Sequence, residues 1–192
     1  MASERVSNSK RNIVSGVLKQ FINLILAFIV RTAILYVLGA EYQGLNGLFT
    51  SILQVLNLTD LGFSTAVVFI LYKPIAEKNT ELICAIVNFL KKVYFVIGVI
   101  ILSCGLCLMP FLSHLVSGSI PENINIYVLF LIYLINTSVS YMMFAYKSAL
   151  LTAMQRQDIE NNIYTISNTL IKIAQIIMLL VFKNYYLYII IM

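Results

Sequence analysis

The sequence contains few charged residues, and it contains no tryptophan. Charged side chains make up 11% of the 192 residues, less than half of the ~25% that is usual in soluble globular domains. So few charges cannot cover a water-facing surface, which excludes a soluble enzyme and a disordered tail. Three Cys residues are too few for a small disulfide scaffold. The net charge of +5 includes no long basic run of the kind that binds nucleic acid.

Residues that commonly carry catalysis or bind metals are scarce as well. The single His, His114, has no nucleophile or carboxylate pair fixed near it, so we expect a solvated loop residue. Cys104 and Cys107 form a C-x-x-C in an apolar segment without charge or His, which favours small buried side chains over a redox or metal site. There is no glycine-rich phosphate loop. We therefore expect no enzyme and no cofactor.

Long apolar runs occupy most of the chain, which is 60% hydrophobic with a mean hydropathy of +0.91. A membrane-spanning helix needs about 20 such residues. The runs predict an all-α integral membrane protein, a polytopic bundle of five complete transmembrane helices and the start of a sixth in one membrane domain, 1–192. The predicted spans are about 20–38, 45–71, 93–112, 124–146 and 162–182, with 185–192 as the incomplete sixth. A turn over 39–44 is predicted between the first two spans, and a polar loop that contains Asp158 between the fourth and the fifth. Segment 75–92, with Asn79 as N-cap, predicts a cytoplasmic amphipathic helix on the membrane surface.

The positions of Lys and Arg predict the orientation of these spans. Of the thirteen, ten fall in segments on the same side as the N-terminus and two, Arg31 and Lys172, fall within spans. Only Lys183 lies in a loop on the other side. Because cytoplasmic loops carry an excess of Lys and Arg, the N-terminus is predicted to be cytoplasmic. In the third span, Gly98 and Gly105 share a helix face and predict close packing of another helix.

Three ionisable residues, Arg31, Asp60 and Lys172, lie deep within predicted spans, where each costs about 2.5–3.5 kcal/mol at a helix centre. Each belongs to a stripe of small or polar residues on its own helix. The stripes are Gly16, Gln20, Asn23, Ala27 and Arg31; Asn46, Thr50, Gln54, Asn57, Asp60 and Ser64; and Asn161, Thr165, Asn168, Lys172 and Gln175. Span four has a weaker set in Tyr133, Asn136, Ser140 and Lys147. Three helices with one polar face each predict a shared hydrated cavity. The candidate substrate-binding residues are Arg31, Lys172, Asn23, Gln54, Asn57 and Asn168.

The same charges allow a structural interpretation. Asp60 can pair with Lys172, or less easily with Arg31, in a buried bridge that stabilises the bundle. With two cations and one anion, the predicted cavity attracts anions, and the Arg fork suits a phosphate. A transported group that carries phosphate or diphosphate fits this pattern, although a carboxylate or sugar acid fits it as well.

Residues 31–79 resemble the N-terminal part of bacterial flippases that export the repeat units of O-antigen, capsule and exopolysaccharide. The likeness lies in LGAEYQGLNGLF after the first span, SILQVLNLTDLGFS in the second, and LYKPIAEKN at its end, and it continues more loosely to the end of the chain. It implies a superfamily fold of twelve to fourteen helices in two six-helix lobes around a cationic cavity, of which this chain supplies most of one lobe.

The resemblance also implies a function and a location. The substrate would be an undecaprenyl-diphosphate-linked oligosaccharide, moved between leaflets of the bacterial plasma membrane by alternating access. Arg31 would correspond to a cavity arginine of the first helix, and Lys172 is matched only by its position in the fifth span. Asp60, in LTDLGFS, would be a structural bridge or a group that binds a coupling ion. A C-terminal half or a partner chain would be needed for activity. Two alternatives are a multidrug extruder of the same superfamily, which the two cations disfavour, and a membrane assembly subunit without transport activity.

Overall fold

The computed structural model of the chain describes residues 2–57, 63–116, 120–121 and 123–192. In these ranges every regular element is helical. The α-helices are α1 (Ala2–Val37), α2 (Ala40–Asn57), α3 (Phe63–Ala76), α4 (Thr80–Leu108), α5 (Leu112–Leu115), α6 (Ile126–Met143), α7 (Ala145–Ala153), α8 (Gln157–Phe182) and α9 (Tyr185–Ile190). One 3₁₀ turn, Met109–Phe111, joins α4 to α5.

Four helical segments of the described chain are long and apolar enough to cross a membrane. They are Ser7–Val37, Thr80–Leu115, Ile126–Met143 and Gln157–Phe182. These segments contain the first, third, fourth and fifth predicted spans or most of each. The all-α class and the membrane-embedded character of the chain agree with the sequence interpretation.

The second predicted span, 45–71, is not one described helix. Its residues fall in α2 and α3, and residues 58–62, which include Asp60, lie outside the described part of the chain. The predicted turn over 39–44 is also shorter than expected, because α2 already begins at Ala40. At the other end, α3 continues past Pro74 to Ala76.

Helix α4 unites two segments that the sequence interpretation separated. Asn79 caps it as predicted, since its side chain accepts a hydrogen bond from the Leu82 N–H at 3.0 Å. The helix then runs unbroken to Leu108, so the predicted surface helix 75–92 and the span 93–112 are not separate elements. No Gly or Pro interrupts residues 80–97, which leaves nothing to break the helix there. At 1.5 Å per residue its 29 residues extend about 44 Å, longer than the ~30 Å hydrocarbon layer.

Two helix pairs form the framework of the bundle. Helices α1 and α8 run parallel, because contacts between them advance together from Lys19–Asn161 to Asn23–Asn168. Helices α4 and α6 run antiparallel, with Gly98 against Met142 and Gly105 against Leu134. The prediction that these two glycines allow close packing of a helix is confirmed.

The apolar core between the pairs contains the buried rings of Phe49, Phe130 and Tyr133. The ring centroid of Phe49 lies 5.5 Å from that of Phe130 and 5.8 Å from that of Tyr133. These contacts join α2 to α6, while Ile34 of α1 is fully buried in the same cluster. By contrast, α1 and α8 keep many large apolar side chains exposed on their outer faces, as expected for helices that contact lipid.

Candidate functional site

A cavity of about 810 Å³ lies between α1, α2, α6, α8 and α9. Its polar lining residues include Asn23, Arg31, Gln43, Asn46, Asn136, Ser140, Asn168 and Lys172. No Asp or Glu is among the described residues that line it. Its fixed charge, in the described part of the chain, is therefore that of two cations.

The cavity brings together four of the predicted site residues. Asn23 and Arg31 reach it from α1, and Asn168 and Lys172 reach it from α8. Gln54 is not among its lining residues, and its side chain is exposed on α2. This placement disagrees with the prediction that Gln54 shares the cavity.

Two other residues of the predicted site lie wholly or partly outside what the structure describes. The side chain of Asn57, the last residue of α2, and the whole of Asp60 are not described. The predicted bridges from Asp60 to Lys172 or Arg31 therefore stay predictions.

Hydrogen bonds between α1 and α8 set the relative height of the two cations. The Asn168 Nδ2 donates to Asn23 Oδ1 at 2.8 Å. In the two parallel helices, Ala27 and Lys172 each lie four residues beyond this pair, about 6 Å along the axis. Arg31 lies eight residues beyond it, about 12 Å along the axis. Lys172 is thus level with Ala27, and Arg31 is about one turn further on.

The two cations have different surroundings. The Arg31 side chain is exposed and forms no hydrogen bond or ion pair with any residue that the structure describes. The Lys172 Nζ donates a hydrogen bond to Gln175 Oε1 at 3.0 Å, and this amide oxygen is a neutral acceptor. Neither positive charge is neutralised by a carboxylate within the described part of the chain.

The polar stripe of α1 does not face the cavity along its whole length. Nearer the N-terminus, Lys19 donates to Asn161 Oδ1 at 3.1 Å, and the Asn161 Nδ2 donates to Ser15 Oγ at 3.2 Å. A Cβ on Gly16 would lie 3.8 Å from the same Asn161 amide. Gly16 and Asn161 of the two stripes, together with the neighbouring Ser15 and Lys19, therefore lie where α1 and α8 pack directly. Asn23, Ala27 and Arg31, further along the α1 stripe, line the cavity.

Gln43 is a cavity residue that the sequence does not predict, because it falls within the predicted turn over 39–44. It lies on the first turns of α2, three residues before Asn46 and so on the same helix face. It lines the cavity, and its buried Oε1 accepts no hydrogen bond from the described residues. Asn46 is held by Tyr133, whose hydroxyl donates to its Oδ1 at 2.6 Å. An earlier start of α2 in the prediction would have added Gln43 to the stripe.

A cluster of charged residues away from the cavity joins α1 to α8. Asp158, predicted in a polar loop, lies in the first turn of α8 and is 3% exposed. Its carboxylate contacts Arg156 at 3.0 Å and Arg11 at 3.2 Å, and its N–H donates to Asn12 Oδ1 at 2.8 Å. The cluster therefore fastens the N-terminal part of α1 to the start of α8.

The cysteines and acidic residues form no metal site in the described part of the chain, where no group of three candidate ligands comes together. Cys84, Cys104 and Cys107 are free thiols on exposed positions of α4. The prediction that Cys104 and Cys107 are buried is therefore wrong, because this face of α4 points away from α6.

No protein-family model, curated protein or solved structure matches the chain.

Proposed function

We propose that the chain forms part of a membrane transporter that moves lipid-diphosphate-linked oligosaccharides between leaflets for cell-surface polysaccharide synthesis. The observation that carries this proposal is the position of Arg31 and Lys172, which line one cavity from two different membrane helices. An arginine binds a phosphate through two N–H groups, and a lysine adds a second positive charge. The resemblance of residues 31–79 to polysaccharide flippases supplies the substrate class.

The cavity also offers groups for the uncharged part of such a substrate. Asn23, Asn136 and Asn168 present amides, which both donate and accept hydrogen bonds as sugar hydroxyls require. The exposed outer faces of α1 and α8 are apolar, so a lipid tail can remain in the hydrocarbon while the polar part lies in the cavity. The cavity of about 810 Å³ has the size of a small-molecule binding site.

The proposal extends to the topology and location of the chain. We propose that α2 and α3 together make the second crossing and that α9 begins a sixth, in the bacterial plasma membrane with the N-terminus cytoplasmic. The excess of Lys and Arg at one end of the predicted spans supports this orientation. We further propose that a second lobe, in the same polypeptide or in a partner chain, covers the polar side of the cavity.

The absence of tryptophan allows a direct binding test. A Tyr164→Trp variant places the only Trp of the chain on the cavity wall, where its fluorescence reports ligand binding. We expect undecaprenyl diphosphate to bind and uncharged undecaprenol not to bind. Removal of one charged hydrogen-bond donor costs about 1.5–3 kcal/mol, so Arg31→Gln should weaken undecaprenyl diphosphate binding roughly 10- to 100-fold. Lys73→Gln is the matched control, because Lys73 is 83% exposed on α3 and lines no part of this cavity.

A cellular test measures transport itself. In a bacterium whose surface polysaccharide depends on this chain, Arg31→Ala should abolish polysaccharide export while the amount of membrane-inserted protein stays normal. Normal export in this variant would refute the proposed role of the cavity.

The two alternatives predict different results in the same assays. A multidrug extruder would bind a cationic dye in the cavity, and Arg31→Gln would strengthen that binding. An assembly subunit would bind neither the dye nor undecaprenyl diphosphate. In that case a double-mutant cycle on Asp60 and Lys172 should show strong coupling in stability, as expected for a structural bridge.

A further inference from the structure

Gln175 contacts the cavity cation Lys172 and is itself completely buried, with 0% of its surface exposed. The two residues lie three positions apart on α8 and therefore share a helix face. A lysine side chain has four rotatable carbon–carbon bonds and can adopt many conformations. The 3.0 Å hydrogen bond to Gln175 Oε1 holds the ammonium group in one of them, at the cavity wall.

The Gln175 amide is in turn oriented by α9. Its Nε2 donates to the carbonyl oxygen of Tyr188 at 2.9 Å. That oxygen is available because the Met192 N–H, which would bond to it in a continued α-helix, donates to the Ile189 carbonyl instead. A flipped amide would place an NH₂ group against the ammonium and an oxygen against a carbonyl, so only the observed orientation satisfies both contacts.

The choice of a neutral acceptor has an electrostatic consequence. A carboxylate at this position would form an ion pair and cancel the charge of Lys172. A glutamine amide fixes the direction of the ammonium group and leaves its full charge facing the cavity.

We infer that Gln175 is a positioning residue, which holds the Lys172 ammonium at the cavity wall as an anion-binding charge and ties it to α9. This inference rests on the proposed role of Lys172 in the cavity. It concerns the electric potential in the cavity, however, so it is tested without a transported substrate.

A cysteine in place of Ala27 reports that potential, because Ala27 lines the cavity and is level with Lys172. The background is the full chain with Cys84, Cys104 and Cys107 replaced by Ala. Small anionic and cationic methanethiosulfonates are applied, and the ratio of their reaction rates is measured. A unit charge at the same level on the neighbouring helix should change this ratio on the order of three- to tenfold, so Lys172→Met should lower the anionic preference by that factor.

Two substitutions at Gln175 then form a test with a defined outcome. Gln175→Met should lower the anionic preference when Lys172 is present and leave it unchanged in the Lys172→Met background. Equal changes in both backgrounds, or none in either, would mean that Gln175 has only a structural role. Gln175→Asn is one methylene shorter and cannot reach both Lys172 and the Tyr188 carbonyl oxygen, so it should lower the anionic preference in the same background-dependent way.

The controls separate this inference from the proposed function. If Gln175→Met does not yield folded protein, Gln175→Asn is measured in the same two backgrounds, and equal changes in both, or none in either, overturn the inference. If the chain binds no undecaprenyl diphosphate but the two-background result holds, the proposed function fails and the positioning role stands. If undecaprenyl diphosphate binds in an Arg31-dependent manner but Gln175 changes nothing, the positioning role fails alone.

Discussion

The contact between Gly105 of α4 and Leu134 of α6 gives the sharpest prediction about the fold. A Cβ at Gly105 would lie 2.3 Å from one Leu134 methyl carbon, 2.6 Å from the other and 3.0 Å from Cγ. Carbon atoms in contact prefer about 3.5–4.0 Å, and the Leu134 side chain that must shift is fully buried. Gly105→Ala should therefore introduce overpacking of about 1–3 kcal/mol.

Gly47→Ala is the matched control for this substitution. Gly47 also lies in a helix, and a Cβ there would have no neighbour within 4 Å. The helix propensity gained on replacing Gly by Ala is similar at both sites, so the difference between the two variants measures overpacking alone. Leu134→Ala should destabilise the Gly105→Ala variant less than it destabilises the unaltered chain, because the smaller side chain makes room for the new methyl group.

Thermal unfolding of the detergent-solubilised chain, followed by circular dichroism, measures the effect. For a chain of this size, 1 kcal/mol corresponds to roughly 2–4 °C in Tm. We expect Gly105→Ala to unfold at a lower temperature than Gly47→Ala by about 2–12 °C. Equal Tm values would refute the packing of α4 against α6 described above.

Two further predictions concern polar contacts that do not involve Arg31 or Lys172. Tyr133→Phe removes the 2.6 Å bond to Asn46 Oδ1 and should lower the free energy of unfolding by about 0.5–1.5 kcal/mol, measured by the same method; no loss would show that this bond is not formed. Asp158→Asn should cost about 1–2 kcal/mol, less than a fully buried pair because the side chains of Arg11 and Arg156 are 58% and 37% exposed. High salt should reduce the difference in the free energy of unfolding between Asp158→Asn and the unaltered chain. A difference that does not change with salt would contradict an electrostatic origin of this stabilisation.

The sequence was informative about helices and about which helix faces are polar. Apolar length located the four helices that are long enough to cross a membrane, and the spacing of Asn23 and Arg31, and of Asn168 and Lys172, correctly placed each pair on one face. The Asn79 cap and the packing role of Gly105 were predictable too, because each follows from a local property of one residue.

The remaining features depend on contacts between helices, which a single sequence does not encode locally. The stripe of α1 predicts a polar face, but it does not reveal that Lys19 bonds to Asn161 while Arg31 faces the cavity. The division of 75–112 into a surface helix and a span was wrong because amphipathic and apolar sequence can continue in one helix. The partner of Gln175 is a backbone oxygen of α9, which no residue pattern indicates.

The central claim is that Arg31 and Lys172 face water that several helices enclose. A cation facing lipid would cost about 2.5–3.5 kcal/mol or more at mid-membrane, so a hydrated cavity explains how both residues are accommodated without a carboxylate partner in the described part of the chain. The opposite faces of α1 provide the comparison that tests this claim. Ala27 lines the cavity, while Ile25, two residues away and about 200° around the helix, is exposed on the outer side.

The most direct measurement compares Ala27→Cys and Ile25→Cys in the otherwise cysteine-free chain, in membranes treated with an anionic, membrane-impermeant methanethiosulfonate. The thiolate that reacts forms only in the presence of water or positive charge. We predict rapid modification of Ala27→Cys, slowed when Arg31 and Lys172 are both replaced by Gln, and no modification of Ile25→Cys at nearly the same depth. Equal rates at the two positions, or no reaction at Ala27→Cys, would contradict the hydrated cavity on which the proposed transport depends.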